Sequence, residues 1–102
     1  MSDERISYVD HEVVDEQHNT VGKITDVLYD DDETEPKWLV VKPGPLSKER
    51  YVPIEGSYES EDGDIVVPFD KKWVKQAPKA SGDHVLDHDT EADAAEHYDV
   101  EP

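Results

Sequence analysis

The sequence predicts an all-β fold: a small barrel of about five to six short antiparallel strands, with one short helical turn at 70–77 and a weak C-terminal helix. Three observations lead there. Short runs rich in Val, Ile and Tyr recur through the middle of the chain, separated by Pro- and Gly-containing turn signals. Both tryptophans, the sole phenylalanine and most of the Val, Ile and Leu fall within residues 20–79. Charge follows the same division. The 102-residue chain has a net charge of −17, of which residues 1–19 carry −5, residues 20–79 only −4 and residues 80–102 the remaining −8. A nearly balanced middle between acidic ends reads as one barrel domain over 12–80, an acidic N-terminal arm over 1–11 and an acidic tail over 81–102.

Each element has its own signal. Glu12 to Asp15, around Val13 and Val14, is a short first strand. Val21 to Tyr29 is the second, favoured over a helical turn by its Val, Ile and Thr content. Its apolar positions slip between Ile24 and Val27, which predicts a β-bulge near Thr25–Asp26. The acidic run Asp30 to Glu35 is a loop ending at Pro36. Lys37 to Lys42 is a strand whose four consecutive apolar residues predict cover on both faces, closed by Pro43-Gly44-Pro45. Arg50 to Ile54 is a strand that Pro53 confines to an edge, an end or a bulge. Tyr58 starts a short strand, Asp62-Gly63 marks a hairpin, and Ile65 to Phe69 returns with Ile65, Val67 and Phe69 on one face. Asp70 caps a single helical turn in which Trp73, Val74 and Ala77 share a face and Pro78 ends the run. Thr90 to Tyr98 is a short helix, weakly held, because residues 80–102 have too few large apolar side chains to offset their ordering entropy.

The middle blocks resemble the PRC-barrel domain, the small barrel shared by the H subunit of photosynthetic reaction centres and the C-terminal half of the 16S ribosomal RNA maturation factor. The residues that carry the resemblance are Asp15 to Gly22 leading into Gly22-Lys23-Ile24-Thr25-Asp26-Val27, then Trp38-Leu39-Val40-Val41, Tyr51-Val52-Pro53-Ile54, Val66-Val67-Pro68-Phe69 and Trp73-Val74-Lys75-Gln76-Ala77-Pro78. They span roughly 12–80 in order. The chain looks most like stand-alone bacterial forms, often labelled stress-related, in which Ala-Pro is followed by a short acidic helix ending in His-Tyr, here Glu96-His97-Tyr98. It departs from the family at His18-Asn19, where Asp and Gly are usual. The resemblance implies an interaction module. The reaction-centre barrel influences electron and proton transfer to quinone, and the maturation-factor barrel takes part in binding a ribosomal protein; neither catalyses.

Chemistry-bearing constellations are sparse. The absence of cysteine removes disulfides, thiolate nucleophiles, Fe–S clusters and Cys-type zinc sites. Read as an EF-hand from Asp30, the acidic run has Glu35 where Gly is needed and Val41 where a bidentate Glu is needed, so it reads as a solvated loop. His84 and His88, beside Asp87 and Asp89, have helical metal-ligand spacing, but Gly82 and the local Asp density oppose a helix there. His11, His18 and His97 stand alone. Ser47, Ser57 and Ser60 lack a nucleophile-elbow context, and the five glycines form no phosphate loop. No catalytic residue, cofactor or metal site is expected, and the chain reads as a non-enzyme. Lys71, Lys72, Lys75 and Lys79 form a basic stripe beside Trp73, read as a solvated helix face given the overall charge.

Trp38, Leu46, Tyr51 and Trp73 are the candidate partner-binding residues. Both tryptophans also suit core positions: Trp38 on a strand face, Trp73 closing the barrel mouth. The leading functional reading is a non-catalytic module that binds a protein partner, a basic one if the acidic surface attracts it. Self-association at the strand edge Tyr51–Ile54 stays open, with Pro53 opposing it. Direct nucleic-acid binding and membrane insertion are not expected, from the charge and from the lack of a long apolar run or leader-like N-terminus. The expected location is the cytoplasm. Three alternatives remain: a ribosome-assembly or rRNA-processing accessory, a reaction-centre accessory influencing electron transfer, and an acidic stress or solvation protein.

Overall fold

The computed structural model describes Tyr8 and residues 11–29, 35–80 and 84–100. Most of the N-terminal arm and Asp30 to Thr34 of the acidic run, where the EF-hand alignment begins, lie outside the described residues. Six strands run in chain order: β1 Glu12–Val14, β2 Thr20–Tyr29, β3 Pro36–Lys42, β4 Arg50–Pro53, β5 Tyr58–Glu59 and β6 Ile65–Val66. Two helices follow, α1 Lys71–Lys75 and α2 His88–Tyr98. The strands form one sheet in the order β4-β3-β2-β1-β6-β5, curled into a half-barrel. Four pairings are antiparallel as expected, whereas β1 and β6 pair in parallel, which the long connection between them through β2 to β5 allows. No helix among the described residues is long and apolar enough to cross a membrane.

The turn between β1 and β2 is built on Asp15. This buried carboxylate accepts the backbone N–H groups of Gln17 and Asn19, both at 2.9 Å. His18, not Asn19, takes the left-handed conformation at φ 67°. Within β2, Gly22 is required for a steric reason: a Cβ there would sit 2.5 Å from the carbonyl oxygen of Lys42 on β3. The bulge falls where the apolar pattern slips. Ile24 pairs with Val41 and Asp26 with Val40, leaving Thr25 as the extra residue.

All four central residues of β3, Trp38 to Val41, are buried, which confirms cover on both faces. β4 is an edge strand, as Pro53 predicts. Its outer side is occupied near Arg50, where Ala80 donates to the Glu49 carbonyl at 2.8 Å and Lys79 bridges to Arg50. The β5–β6 hairpin is not a two-residue turn. Gly63, at φ 89°, donates to the Ser60 carbonyl, so the turn is centred on Glu61-Asp62 with Gly63 as the left-handed residue that follows. The return strand also stops early, at Val66. Val67 still donates to the Val14 carbonyl, but Pro68 has no donor to continue the ladder and Phe69 is only half-buried.

The C-terminal helix departs most from expectation. It begins two residues before Thr90, because the Asp87 carboxylate caps it by accepting the Thr90 N–H at 2.7 Å. Asp99 closes it at φ 59°, with Val100 donating back to the Ala95 carbonyl. It is not weakly held. Ala94, Ala95 and Tyr98 belong to the same buried cluster as the strands. Tyr98 lies with its ring 4.6 Å from Phe69 and 6.4 Å from Trp38. Burial pushes its hydroxyl pKa up, and that hydroxyl has no hydrogen-bond partner.

Tyr98 therefore acts through its ring. Tyr98→Phe is expected to leave stability within about 1 kcal/mol of wild type or raise it, since it deletes an unsatisfied buried group. Tyr98→Ala should cost roughly 3–5 kcal/mol, as for other large-to-small aromatic changes in cores. Chemical denaturation of both variants checks this. Gly22→Ala should lower stability by about 1–3 kcal/mol through the clash with Lys42, read by the same melts.

Candidate partner-binding surface

Trp38, Leu46, Tyr51 and Trp73 divide into two groups. Trp38 is 2% exposed and Tyr51 is fully buried, so neither presents a surface to a partner. Both are held by hydrogen bonds from inside. The Trp38 indole donates to Glu91 on α2 at 2.9 Å, and the Tyr51 hydroxyl donates to the Val85 carbonyl at 3.0 Å. Burial alone would raise the Glu91 carboxyl pKa, but the hydrogen bonds from Trp38 and Lys37 outweigh it and hold that pKa below its ordinary value. Leu46, at the loop tip after Pro43-Gly44-Pro45, is 99% exposed. Trp73 is 42% exposed, against the expectation that it closes the barrel mouth. A helix of five residues packed on β2 and β4 can turn only a narrow arc inward, and Val74 and Ala77 occupy it.

Trp73 is nevertheless fixed in place. Its backbone N–H caps onto Asp70 at 2.8 Å, which sets the direction of α1. Its indole stacks on the His97 ring, with centroids 4.3 Å apart and planes at 15°. The indole N–H donates to the His97 carbonyl at 3.2 Å, and Nε2 of His97 donates to the Trp73 carbonyl at 2.8 Å. His97 in turn meets Tyr98 edge-on at 4.9 Å. A continuous aromatic path thus runs from exposed Trp73 to buried Tyr98, and His97 is not isolated as the sequence suggested. The sequence carried a signal for it in Glu96-His97-Tyr98, which ends the helix.

Beside Trp73 lies an open groove of about 460 Å³ lined by Pro68, Phe69, Asp70, Lys72, Trp73 and Gln76. Lys71 and Lys75 are exposed one turn apart on the same short helix. Lys79 does not continue their row, because the helix ends at Lys75 and Lys79 bridges to the edge of β4. Among the described residues, none of Lys71, Lys72 or Lys75 is in an ion pair. In a chain of −17 this leaves an unneutralised basic rim around a rigid exposed indole.

His84 and His88 do not share a helix face. His84 precedes α2 in a left-handed conformation and His88 is its first residue. Instead, Nδ1 of His84 lies 2.9 Å from Asp26 Oδ2 and Nε2 lies 2.8 Å from Glu49 Oε1. No local sequence signal points to this, since the partners are 58 and 35 residues away. Among the described residues, no three His, Asp or Glu side chains are grouped to hold a metal ion.

Comparison with known families matches residues 7–74 to the PRC-barrel domain, well over half of the chain. No curated protein matches. The matched span ends inside α1, so Trp73 falls within it and His97, which stacks on Trp73, falls outside.

His97→Ala is expected to uncover one face of Trp73. Acrylamide quenching of the Trp73 fluorescence component should then increase, while the buried Trp38 stays protected. Unchanged quenching would show that the stack does not shield the indole.

Proposed function

This chain belongs to the PRC-barrel family, and we propose that it is a non-catalytic module that binds a protein partner through the Trp73 face. The observation that carries this reading is the exposed indole, locked by His97 at the side of an open groove. Rigid aromatic residues with a large apolar area and little conformational entropy to lose are favoured binding hot spots. Lys72 and Asp70 line the groove, and Lys71 and Lys75 lie exposed on the same short helix, so the partner segment that fits here carries acidic residues around an apolar anchor, rather than the basic character that net charge alone suggests. A nucleic acid fits less well. The unpaired lysines are few, and the remaining surface of a −17 chain repels a long polyanion.

A photo-crosslinking residue placed at Gln76 in cells identifies the partner, and binding is then measured with the purified pair. Trp73→Ala is expected to weaken binding by about 2 kcal/mol or more, on the order of thirtyfold in Kd. The double change Lys71→Gln and Lys72→Gln should flatten the salt dependence of the association. Leu46→Ala, which lies away from the groove lining, serves as the control and should leave Kd unchanged. Equal affinities for Trp73→Ala and the parent would remove this face from the interface.

A further inference from the structure

The segment entering α2 is fastened to the sheet by an imidazole between two carboxylates. Asp26 comes from the β2 bulge and Glu49 from the residue before β4. Both acids are oriented before His84 reaches them. Asp26 Oδ1 accepts the Val27 N–H at 2.8 Å, and Glu49 Oε2 accepts the Thr25 hydroxyl. The bulge explains the convergence: the unpaired Thr25 and its neighbour Asp26 are re-aimed toward Glu49 and His84. An ionised carboxylate only accepts, so two contacts of this length require a proton on each ring nitrogen. A neutral imidazole has one N–H. Its other nitrogen would turn a lone pair toward a carboxylate. The two acids lie against different ring nitrogens, so they do not converge on a common metal position.

We propose that His84, Asp26 and Glu49 form a pH-gated clasp, closed while the imidazole holds both protons and open once it loses one, that fastens residues 84–87 to the β2 bulge. The inference is independent of any partner at Trp73. His84 sits at φ 58°, in the left-handed region that few non-glycine residues occupy, with its two ring nitrogens against the two carboxylates. The charged groups facing the clasp are Asp26 from β2, Glu49 ahead of β4 and, acting on Glu49, Lys42 at the end of β3. The hydrogen bonds to Asp26 and then Glu49 raise the His84 pKa, against an opposing effect of burial. The Thr25 hydrogen bond, with smaller help from His84 and Lys42, lowers that of Glu49 against its own burial.

The signs then follow. A histidine whose folded pKa lies above its unfolded value of about 6.5 contributes its full stabilisation below that value and loses it as pH rises through the folded pKa. Glu49 shifts the other way, so its contribution persists above its unfolded value and fails only as pH falls through its lowered folded pKa. The clasp is closed between these limits and opens on the alkaline side. Opening releases His84 and loosens the capped start of α2, while the Val85 carbonyl keeps its hydrogen bond from Tyr51. The far end of the helix stays anchored by Tyr98.

The test uses the intact chain. Histidine Cε1–H resonances followed by NMR should show His84 titrating above about 6.5. Amide protection at Thr90 and Glu91, whose N–H groups bond Asp87, should fall through the same pH range once corrected for intrinsic exchange. In His84→Gln the protection of those amides should be low and independent of pH. In Asp26→Asn, which keeps the local shape, the His84 titration should move down toward the unperturbed value. Thermal melts of both variants confirm that they fold. A His84 titration at or below about 6.5, or protection at Thr90 and Glu91 unchanged across it, would overturn the clasp.

Discussion

The placement of Tyr98 against Trp38 and Phe69 is the contact on which the rest of this structure depends. The six strands of the described residues, two of them only two residues long, curl into a half-barrel that buries one face of β3 and leaves the other to be covered. One face of β3 and β4, with Trp38, Val40 and Tyr51, needs cover from elsewhere in the chain. The segment from Val85 to Tyr98 supplies it. Its ring fills space, its Glu91 accepts the buried Trp38 N–H, and its Val85 carbonyl accepts the Tyr51 hydroxyl. A buried indole or phenol usually has such an acceptor, and the tail supplies one to Trp38 and Tyr51, though its own Tyr98 hydroxyl goes without.

The two ends of that segment are held by different physics. At its C-terminal end, aromatic burial does the work, and burial depends little on pH or salt. At its N-terminal end the His84 contacts with Asp26 and Glu49 add to the Tyr51–Val85 hydrogen bond, and ionic contacts of that kind respond to both. This division explains how a stretch with five acids and no Lys or Arg, a net charge of −5, can dock at all. Asp89, Asp93, Glu96 and Asp99 are exposed, while Ala94, Ala95 and Tyr98 form one narrow inward stripe. Docking also builds the outer surface. His97 precedes Tyr98, so seating Tyr98 carries His97 onto Trp73 and braces the indole beside its groove.

Much of the sheet was legible because strands announce themselves locally. The four apolar residues of β3, Pro53 at the edge strand and the slipped apolar spacing at Thr25 each had a local physical meaning that the structure bears out. The helices were less so. Trp73 and Val74 of α1 and Ala77 just beyond it share a helical face by spacing, and nothing local says which of them turns outward; the contact of α1 with β2 and β4 decides it. For α2, counting large apolar residues underrated a helix whose inward stripe is two alanines and one tyrosine. Small residues allow close approach, and Tyr98 alone supplies most of the buried ring area.

From the sequence by itself came the all-β class, the strand order along the chain, the bulge at Thr25, the caps at Asp70 and the division of charge. These rest on periodicity, turn chemistry and composition, which act over a few residues. Only the tertiary structure decided the parallel pairing of β1 with β6, the docking of α2, the exposure of Trp73 and the bridge from His84 to Asp26 and Glu49. Each of these joins residues dozens of positions apart, and such pairs meet only once the chain has folded. The charge of −17 shows the difference well: composition gives its size, but the fold decides that three lysines stay unpaired at Trp73 while one histidine is held between two acids.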